Sequence, residues 1–333
     1  MRRLGPFVLL FCTAACGGSS PTTPSSPGST SQNVKGQTVD AITGAPAGEL
    51  TVSVGSYRSV TTDANGMFIF DGAHSGTFPA TLRGSSIVDR ETSISASSEV
   101  TRMSVIPAGF DLTAFDEMFR FENARLQRWT SRPALVVVAS TMALTAASAD
   151  TFQASAEQMT EDEVSQMVAH MTEGLSMLTG NNYTSFQSVE IERPAAGDRV
   201  TATRTGKIVV GRYTGIVTLA NTIGYGRWST LNDGTVVGGA MFLDRDFDKN
   251  DSRRRLLRIH ELGHALGYQH VKSRTSIMNP AIGPDATDFD RAGASVAFQR
   301  QPGNRSPDID PTGGFRLSST AEGGHWSEPT VCR

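Results

Sequence analysis

The stretch "HELGHALGYQH" concentrates residue types that bind metal ions. The chain has six histidines, and three of them, His260, His264 and His270, lie in this stretch. Four residues turn about 400° on an α-helix, so a helix would place the rings of His260 and His264 one turn apart on the same face. Two neutral imidazoles in that arrangement can bind one divalent ion.

A continuous helix would point the third imidazole away from the other two. Six further residues rotate the direction by about 600°, so the helix must end before His270 if all three rings are to meet. Gly267 lies at the required position, and glycine accepts the left-handed conformation that ends helices. Three protein ligands leave the fourth tetrahedral position open, which is typical of a catalytic zinc site.

Glu261 adds a proton acceptor beside the first ligand. Zinc lowers the pKa of a bound water toward neutrality. A nearby carboxylate can take that proton while the water attacks a carbonyl, and can then return it to the leaving amine. The pattern therefore predicts zinc-dependent peptide-bond hydrolysis by a zinc-bound water, with Glu261 as the general base.

These residues match the motif HExxHxxGxxH, and the stretch resembles the metzincin clan of zinc metallopeptidases. "SIMNP" (residues 276–280) resembles the Met-turn of the clan, which implies that Met278 lies beneath the zinc as a hydrophobic floor. Pro280 stands two places after the methionine, where other metzincins have a tyrosine. The turn therefore resembles that of the matrixins, which implies no tyrosine ligand. "GGAMFLD" (residues 238–244) resembles the edge strand that binds an extended protein or peptide substrate.

Two further features of the sequence concern latency through a cysteine and a possible calcium site. The matrixin latency motif PRCGxPD is absent, and Cys332 lies at the other end of the chain, so latency through a thiolate is not expected. "DRDFDKND" (residues 244–251) has carboxylates at alternate positions, as calcium loops do, but lacks the glycine and glutamate of an EF-hand. We expect a solvated acidic loop here, with bound Ca²⁺ as the alternative.

Residues 108–333 alternate between helical and strand patterns. "AFDEMFRFENARLQRW" favours a helix, and "PALVVVAS" is typical of a buried strand. A capping box from Thr160 to Glu163 begins a helix with an apolar stripe. Strands are predicted at "SVEIE", "KIVVGRY", "IVTLA" and "VVGGAMFLD", and helices at about 256–266 and 287–300. This order predicts an α+β metzincin-like catalytic domain, with a mixed twisted sheet and an active-site helix.

Residues 34–107 have short runs of period two separated by turn signals such as Asn65-Gly66. About seven strands in this length predict an all-β sandwich. The stretch resembles the carboxypeptidase regulatory-like domain, a small prealbumin-like sandwich. That resemblance implies a spacer or a weak binding module.

The first residues, "MRRLGPFVLLFCTAAC", combine two arginines, an apolar run and small residues. They predict an export signal over residues 1–15, too short to span a bilayer as a helix. "TAAC" resembles the lipobox of bacterial lipoproteins, which implies lipidation at Cys16 and an outer-membrane or cell-surface location. Plain secretion is the alternative. Residues 16–33 are rich in Ser, Pro and Gly and predict a disordered linker.

The composition limits the classes of function. Hydrophobic residues make up 38% of the chain and the formal net charge is −3, so the chain can bury a core and has no basic excess that would suggest nucleic-acid binding. Membrane association is expected only through the lipid anchor. The alternative to a peptidase is a surface binding or adhesion lipoprotein whose metal domain is inactive or structural.

Overall fold

The computed structural model describes residues 32–120, 125–144, 146–215, 221–311 and 324–332. The predicted export signal, Cys16 and nearly all of the predicted linker lie outside these residues, as does the predicted strand "IVTLA" at 216–220. Among the described residues, no helix is both long enough and apolar enough to cross a membrane.

Two small sheets account for the first part of the described chain. Their seven strands, the number predicted, are β1 (Gln32–Asp40), β2 (Thr51–Val54), β3 (Val60–Thr61), β4 (Met67–His74), β5 (Thr77–Arg83), β6 (Arg90–Ser95) and β7 (Thr101–Val105). The strand orders are β4-β1-β7 and β3-β2-β5-β6. Alternate side chains such as Val34, Val52, Phe68 and Leu82 form one buried core, as the period-two pattern requires.

One large sheet follows, with five helices described around it. Its strands are β8 (Arg128–Trp129), β9 (Ala134–Ala143), β10 (Thr151–Gln158), β11 (Val189–Glu192), β12 (Arg199–Thr201), β13 (Lys207–Thr214), β14 (Gly224–Thr230), β15 (Thr235–Asp244), β16 (His325–Trp326) and β17 (Thr330–Cys332). The helices are α1 (Leu112–Phe119), α2 (Glu161–Leu178), α3 (Arg245–Asn250), α4 (Arg254–Ala265) and α5 (Asp288–Phe298). The central strand order is β12-β10-β9-β13-β15-β14-β16, with β8, β11 and β17 paired to β15, β9 and β14. The described chain is thus a β-rich region followed by a mixed sheet with helices.

Helix α2 begins at the predicted capping box and packs against α4. The Thr160 hydroxyl accepts a hydrogen bond from the Glu163 amide, and the Glu163 carboxylate accepts one from the Thr160 amide. The predicted stripe is buried at Val164, Met167, Met171, Leu175 and Leu178. A Cβ added at Gly174 would lie 3.0–3.2 Å from side-chain atoms of Leu262 and Ile259. The absence of a side chain at Gly174 therefore allows α2 to approach α4 closely.

The prediction that "GGAMFLD" forms the edge strand is wrong. These residues belong to β15, which pairs in parallel with β13 on one side and antiparallel with β14 on the other. Eight of the ten residues of β15 are buried, because an interior strand between two covered faces has no solvated side. The outer strand next to α4 is β14, "GYGRWST", which lies against the short strands β16 and β17.

The β-rich region and the mixed-sheet region meet through a buried polar cluster. Asp310 accepts hydrogen bonds from Arg90 at 2.9 Å and from Thr92 at 2.7 Å. Arg300 donates to Ser104 at 2.7 Å and forms a fully buried ion pair with Asp308. Since buried charges are stable only when they are paired, these bonds hold the two regions in one relative orientation.

Candidate metal centre

Helix α4 and the turn after it bring the three histidines together. The Nε2 atoms of His260, His264 and His270 are separated by 3.1, 3.2 and 3.3 Å. His260 and His264 are fully buried on one face of α4, one turn apart, and His270 approaches from beyond the end of the helix.

Hydrogen bonds fix the tautomer of the two helical imidazoles. Nδ1 of His260 donates to the carbonyl of Ile277, and Nδ1 of His264 donates to the carbonyl of Tyr268, both at 2.7 Å. A neutral imidazole carries only one N–H, so Nε2 of each ring presents a lone pair. Two lone pairs that face each other at 3.1 Å repel unless a cation lies between them.

The spacing fits zinc. Tetrahedral geometry with a Zn–N distance of about 2.0–2.1 Å separates two ligand nitrogens by roughly 3.3–3.4 Å, close to the three observed distances. Burial lowers the pKa of His260 to about 4 and of His270 to about 3, and it lowers the pKa of His264 well below its usual value. The imidazoles are therefore neutral at physiological pH, which is the form that binds metal.

The reversal that delivers His270 occurs at Gly267. Its φ is 101°, a backbone conformation that side chains with a Cβ rarely adopt. The Gly267 amide donates to the His264 carbonyl, and the Tyr268 amide donates to the Gly263 carbonyl, both at 2.9 Å. These two bonds form a Schellman motif, which ends the helix and turns the chain back.

Replacing Gly267 with valine is expected to weaken zinc binding without removing a ligand. A Cβ here would lie 3.0 Å from the Val236 side chain, and a β-branched residue strongly disfavours positive φ. The helix should then tend to continue, so that His270 turns away and two ligands remain. Chelator competition should show faster zinc loss, similar to that of His270→Ala. Wild-type zinc retention in Gly267→Val would contradict this role of the turn.

Helix α1 holds the segment that carries His270. The amide of Gln269 donates to the Met118 carbonyl at 2.9 Å. The Glu117 carboxylate accepts from the amide of Lys272 at 2.8 Å and from that of Ser273 at 3.0 Å. Sequence analysis predicted a helix over residues 114–129, which is too long, because α1 ends at Phe119 and Arg128–Trp129 form β8 in the sheet. The sequence also gave no link between this helix and the site, because the two segments are more than 150 residues apart.

Met278 lies against the middle of α4. A Cβ added at Gly263, between the two helical histidines, would collide with Sδ and Cε of Met278. Asp290, at the start of α5, fixes the turn: its carboxylate accepts from the Ile277 amide at 3.1 Å and from the Ser276 hydroxyl. Asp290 is a buried positioning residue that sequence analysis missed; its place as the third residue of a capping box with Thr287 was a readable signal.

Glycines in β14 allow the strand to lie directly on α4. A Cβ at Gly226 would be 2.5 Å from Cβ of His264, and one at Gly224 would be 2.6 Å from Oε1 of Glu261. Glu261 is fully buried, and neither of its carboxylate oxygens has a hydrogen-bond partner among the described residues. Burial raises the pKa of Glu261 well above its usual value. A buried, unsatisfied carboxylate beside three imidazoles indicates a functional rather than a structural group.

The prediction of a solvated acidic loop at 244–251 is wrong. The segment contains α3, and the Asp244 side chain caps that helix. Asp248 is fully buried, and its two carboxylate oxygens accept from Arg212 and Arg258 at 2.7–2.9 Å. Two guanidinium groups from elsewhere in the chain pair with this carboxylate and make its burial favourable. Both of its oxygens are therefore already hydrogen-bonded to arginine. Since Arg258 belongs to α4, this ion cluster anchors the helix that carries His260 and His264.

Comparison with known proteins agrees with this arrangement. Residues 227–296 match the family model of the matrixins, a range that extends from β14 through the three histidines and the Met278 turn into α5. No curated protein matches the chain. The family match supports a matrixin-like zinc metallopeptidase domain in this part of the chain.

Proposed function

We propose that this protein is a zinc-dependent endopeptidase that cleaves peptide bonds in protein or peptide substrates. The observation that carries the proposal is the convergence of the three Nε2 atoms within 3.3 Å of one another, two of them on α4, the helix that also presents Glu261. The matrixin match over the same residues supports it.

In this proposal His260, His264 and His270 hold one zinc ion, which would polarise a peptide carbonyl and lower the pKa of water. Glu261 takes the proton from the attacking water and gives it to the leaving amine. A low-dielectric site strengthens the carboxylate as a base, since burial raises the pKa of Glu261. The Ile277 and Tyr268 carbonyls keep Nδ1 of the two helical histidines protonated, and so keep Nε2 available.

The substrate would bind as an extended strand on the outer edge of β14. Strand addition satisfies backbone groups of the peptide and places it across α4, on which β14 lies through Gly224 and Gly226. Because β16 and β17 pair with that edge, the test of activity includes a chain that ends at residue 323.

The test is incubation of the zinc-loaded protein with a library of peptides blocked at both ends, with and without a chelator. We expect internal cleavage by the whole chain or by the shortened chain, loss of cleavage with the chelator, and recovery when zinc is restored. Stoichiometric zinc without cleavage by either chain would contradict the peptidase proposal. That result would favour the alternative of a binding lipoprotein with a structural metal site, which no observation at present favours over the peptidase.

We further propose that Cys16 carries a lipid that anchors the protein at the bacterial outer membrane or cell surface. "TAAC" followed by a Ser/Pro-rich segment supports this. Metabolic labelling with palmitate should mark the wild-type chain and leave Cys16→Ser unlabelled, because the thiol is the only part of the lipobox that this variant changes. Equal labelling of both chains would contradict the anchor.

A further inference from the structure

The three proposed zinc ligands are not oriented in the same way. Nδ1 of His260 and Nδ1 of His264 each donate a hydrogen bond to a backbone carbonyl, and both residues lie on α4. Within the described ranges, the ring of His270 makes hydrogen-bond contacts only through Nε2, so no bond at Nδ1 fixes its direction. The position of this imidazole therefore depends on how the backbone around His270 is held.

Residues 269–274, here named the third-ligand segment, are held on one side by the Met278 turn. The Val271 amide donates to the Met278 carbonyl at 2.8 Å. The side-chain amide of Asn279 donates to the carbonyls of Val271 and Arg274, at 2.7 and 2.8 Å. These bonds hold the segment from the side of the turn, and helix α1 holds it from the other.

Glu117 supplies most of the bonds from α1. Its Oε2 accepts from the Lys272 amide at 2.8 Å, the Ser273 amide at 3.0 Å and the Ser273 hydroxyl at 2.9 Å. Burial alone would raise the pKa of Glu117, but the bonds from Ser273 and Lys272 outweigh it and lower the pKa below its usual value. The carboxylate is therefore ionised at neutral pH, and hydrogen bonds to an ionised acceptor are stronger than neutral ones.

Helix α1 is itself fixed, so it can serve as a support. The Arg120 side chain is buried at the end of α1. It donates to the Asp116 carboxylate at 2.7 Å, to the Pro307 carbonyl at 3.2 Å and to the side chain of Asn304. At the other end, the Asp111 side chain caps the helix. Because both ends of α1 are bonded, Glu117 holds the third-ligand segment against a stationary element.

We propose that Glu117 is a positioning residue of the metal centre, whose carboxylate holds the third-ligand segment so that Nε2 of His270 meets those of His260 and His264. The inference rests on the proposed function in one respect, because zinc must bind to the three histidines. Glu117 acts through backbone amides two and three residues after His270.

The effect of this support is preorganisation of the third ligand. Without the carboxylate, the amides at residues 272 and 273 would bond to water, and the segment would sample more conformations. Part of the free energy of zinc binding would then be used to order His270, which weakens the observed affinity. The two helical histidines keep their own bonds to the Ile277 and Tyr268 carbonyls.

The first test compares zinc affinity among full-length variants by competition with a chromophoric chelator. Glu117→Ala should raise the zinc dissociation constant by about tenfold or more, within the 10–100-fold range typical of groups that support metal ligands. Glu117→Gln should restore most of the affinity, because one carbonyl oxygen can accept the same three bonds. Lys272→Ala is the matched control: it removes an exposed side chain but keeps the amide that Glu117 binds, and it should bind zinc as the parent does.

The second test repeats the measurement in a His270→Ala background. If Glu117 acts through His270, Glu117→Ala should change the weak zinc affinity of this background by less than about twofold, as a double-mutant cycle requires of two residues with one shared effect. An equal loss in both backgrounds would overturn the proposal, because it would show a general loosening of the fold. Parent-like affinity in Glu117→Ala, or a Glu117→Gln variant as weak as Glu117→Ala, would also overturn it. Failure of the parent chain to bind zinc would instead contradict the proposed function.

Discussion

Replacing Glu261 with glutamine is expected to lower peptide hydrolysis by about 10²–10⁴-fold while zinc stays bound, because loss of a general base commonly has an effect of this size. Glutamine has nearly the same shape as glutamate but cannot accept the proton of water. The three Nε2 atoms of the candidate metal centre belong to His260, His264 and His270, so the substitution removes no proposed zinc ligand. The measurement is kcat/KM on a cleaved peptide, with zinc content determined on the same preparation.

The comparison should be made in the chain with the highest activity, whole or ending at residue 323. Glu173→Gln is a matched control, since Glu173 is an exposed residue of α2 that pairs with Arg255. The control should retain activity within about twofold of its parent, as surface substitutions usually have small effects. If Glu261→Gln cleaved peptides as fast as its parent at equal zinc content, the general-base mechanism would be wrong.

Replacing Asp248 with asparagine is expected to destabilise the fold by about 3–5 kcal/mol, because it leaves buried cationic partners without their counter-charge. The side chains of Arg212 and Arg258 are 2% and 1% exposed, and that of Asp248 is 0% exposed. Arg212 keeps a second partner in Glu163 at 2.7 Å, so most of the cost should fall on Arg258, two residues before His260. Denaturant unfolding of the zinc-free and zinc-loaded proteins would measure the loss.

The stability that this cluster contributes should decrease as the pH falls. Burial alone would raise the pKa of Asp248, but hydrogen bonds and charge from Arg258 and Arg212 outweigh it and lower the pKa below the usual value. The cluster therefore stabilises the native state above the unfolded pKa of aspartate, and this contribution is lost as the pH falls through the lower folded value. Asp246→Asn, an exposed change on the same short helix, should alter stability little. An equally small change in Asp248→Asn would show that the buried cluster contributes no net stability.

Local hydrogen-bonding patterns were predictable because the residues that form them are close in sequence. The capping box at Thr160 and Glu163 satisfies the first amides of α2 through bonds that span three residues. The same holds for the meeting of His260, His264 and His270, since the helical period and one glycine turn determine their geometry. The alternation that indicated seven short strands is likewise a local property.

The identity of the edge strand could not be obtained in this way. β14 and β15 are both apolar and glycine-containing, and only the pairing of β15 with β13 shows which of them lies inside the sheet. The acidic segment at 244–251 was misjudged for a related reason. Burial of a carboxylate is favourable only when cationic partners pair with it. One partner of Asp248 is Arg212, which lies 36 residues earlier in the chain, so no local pattern could reveal it.

By itself, the sequence identified the three histidines that we propose as zinc ligands, the proposed general base Glu261 and the turn at Gly267, because all of these lie within one helix and the reversal after it. Only the tertiary structure decided what surrounds them. It placed Asp290 under the Met278 turn, Asp248 between two arginines and Cys332 beside His260. These contacts depend on which distant strands and helices come together, and that is set by burial and pairing across the whole chain rather than by any local pattern.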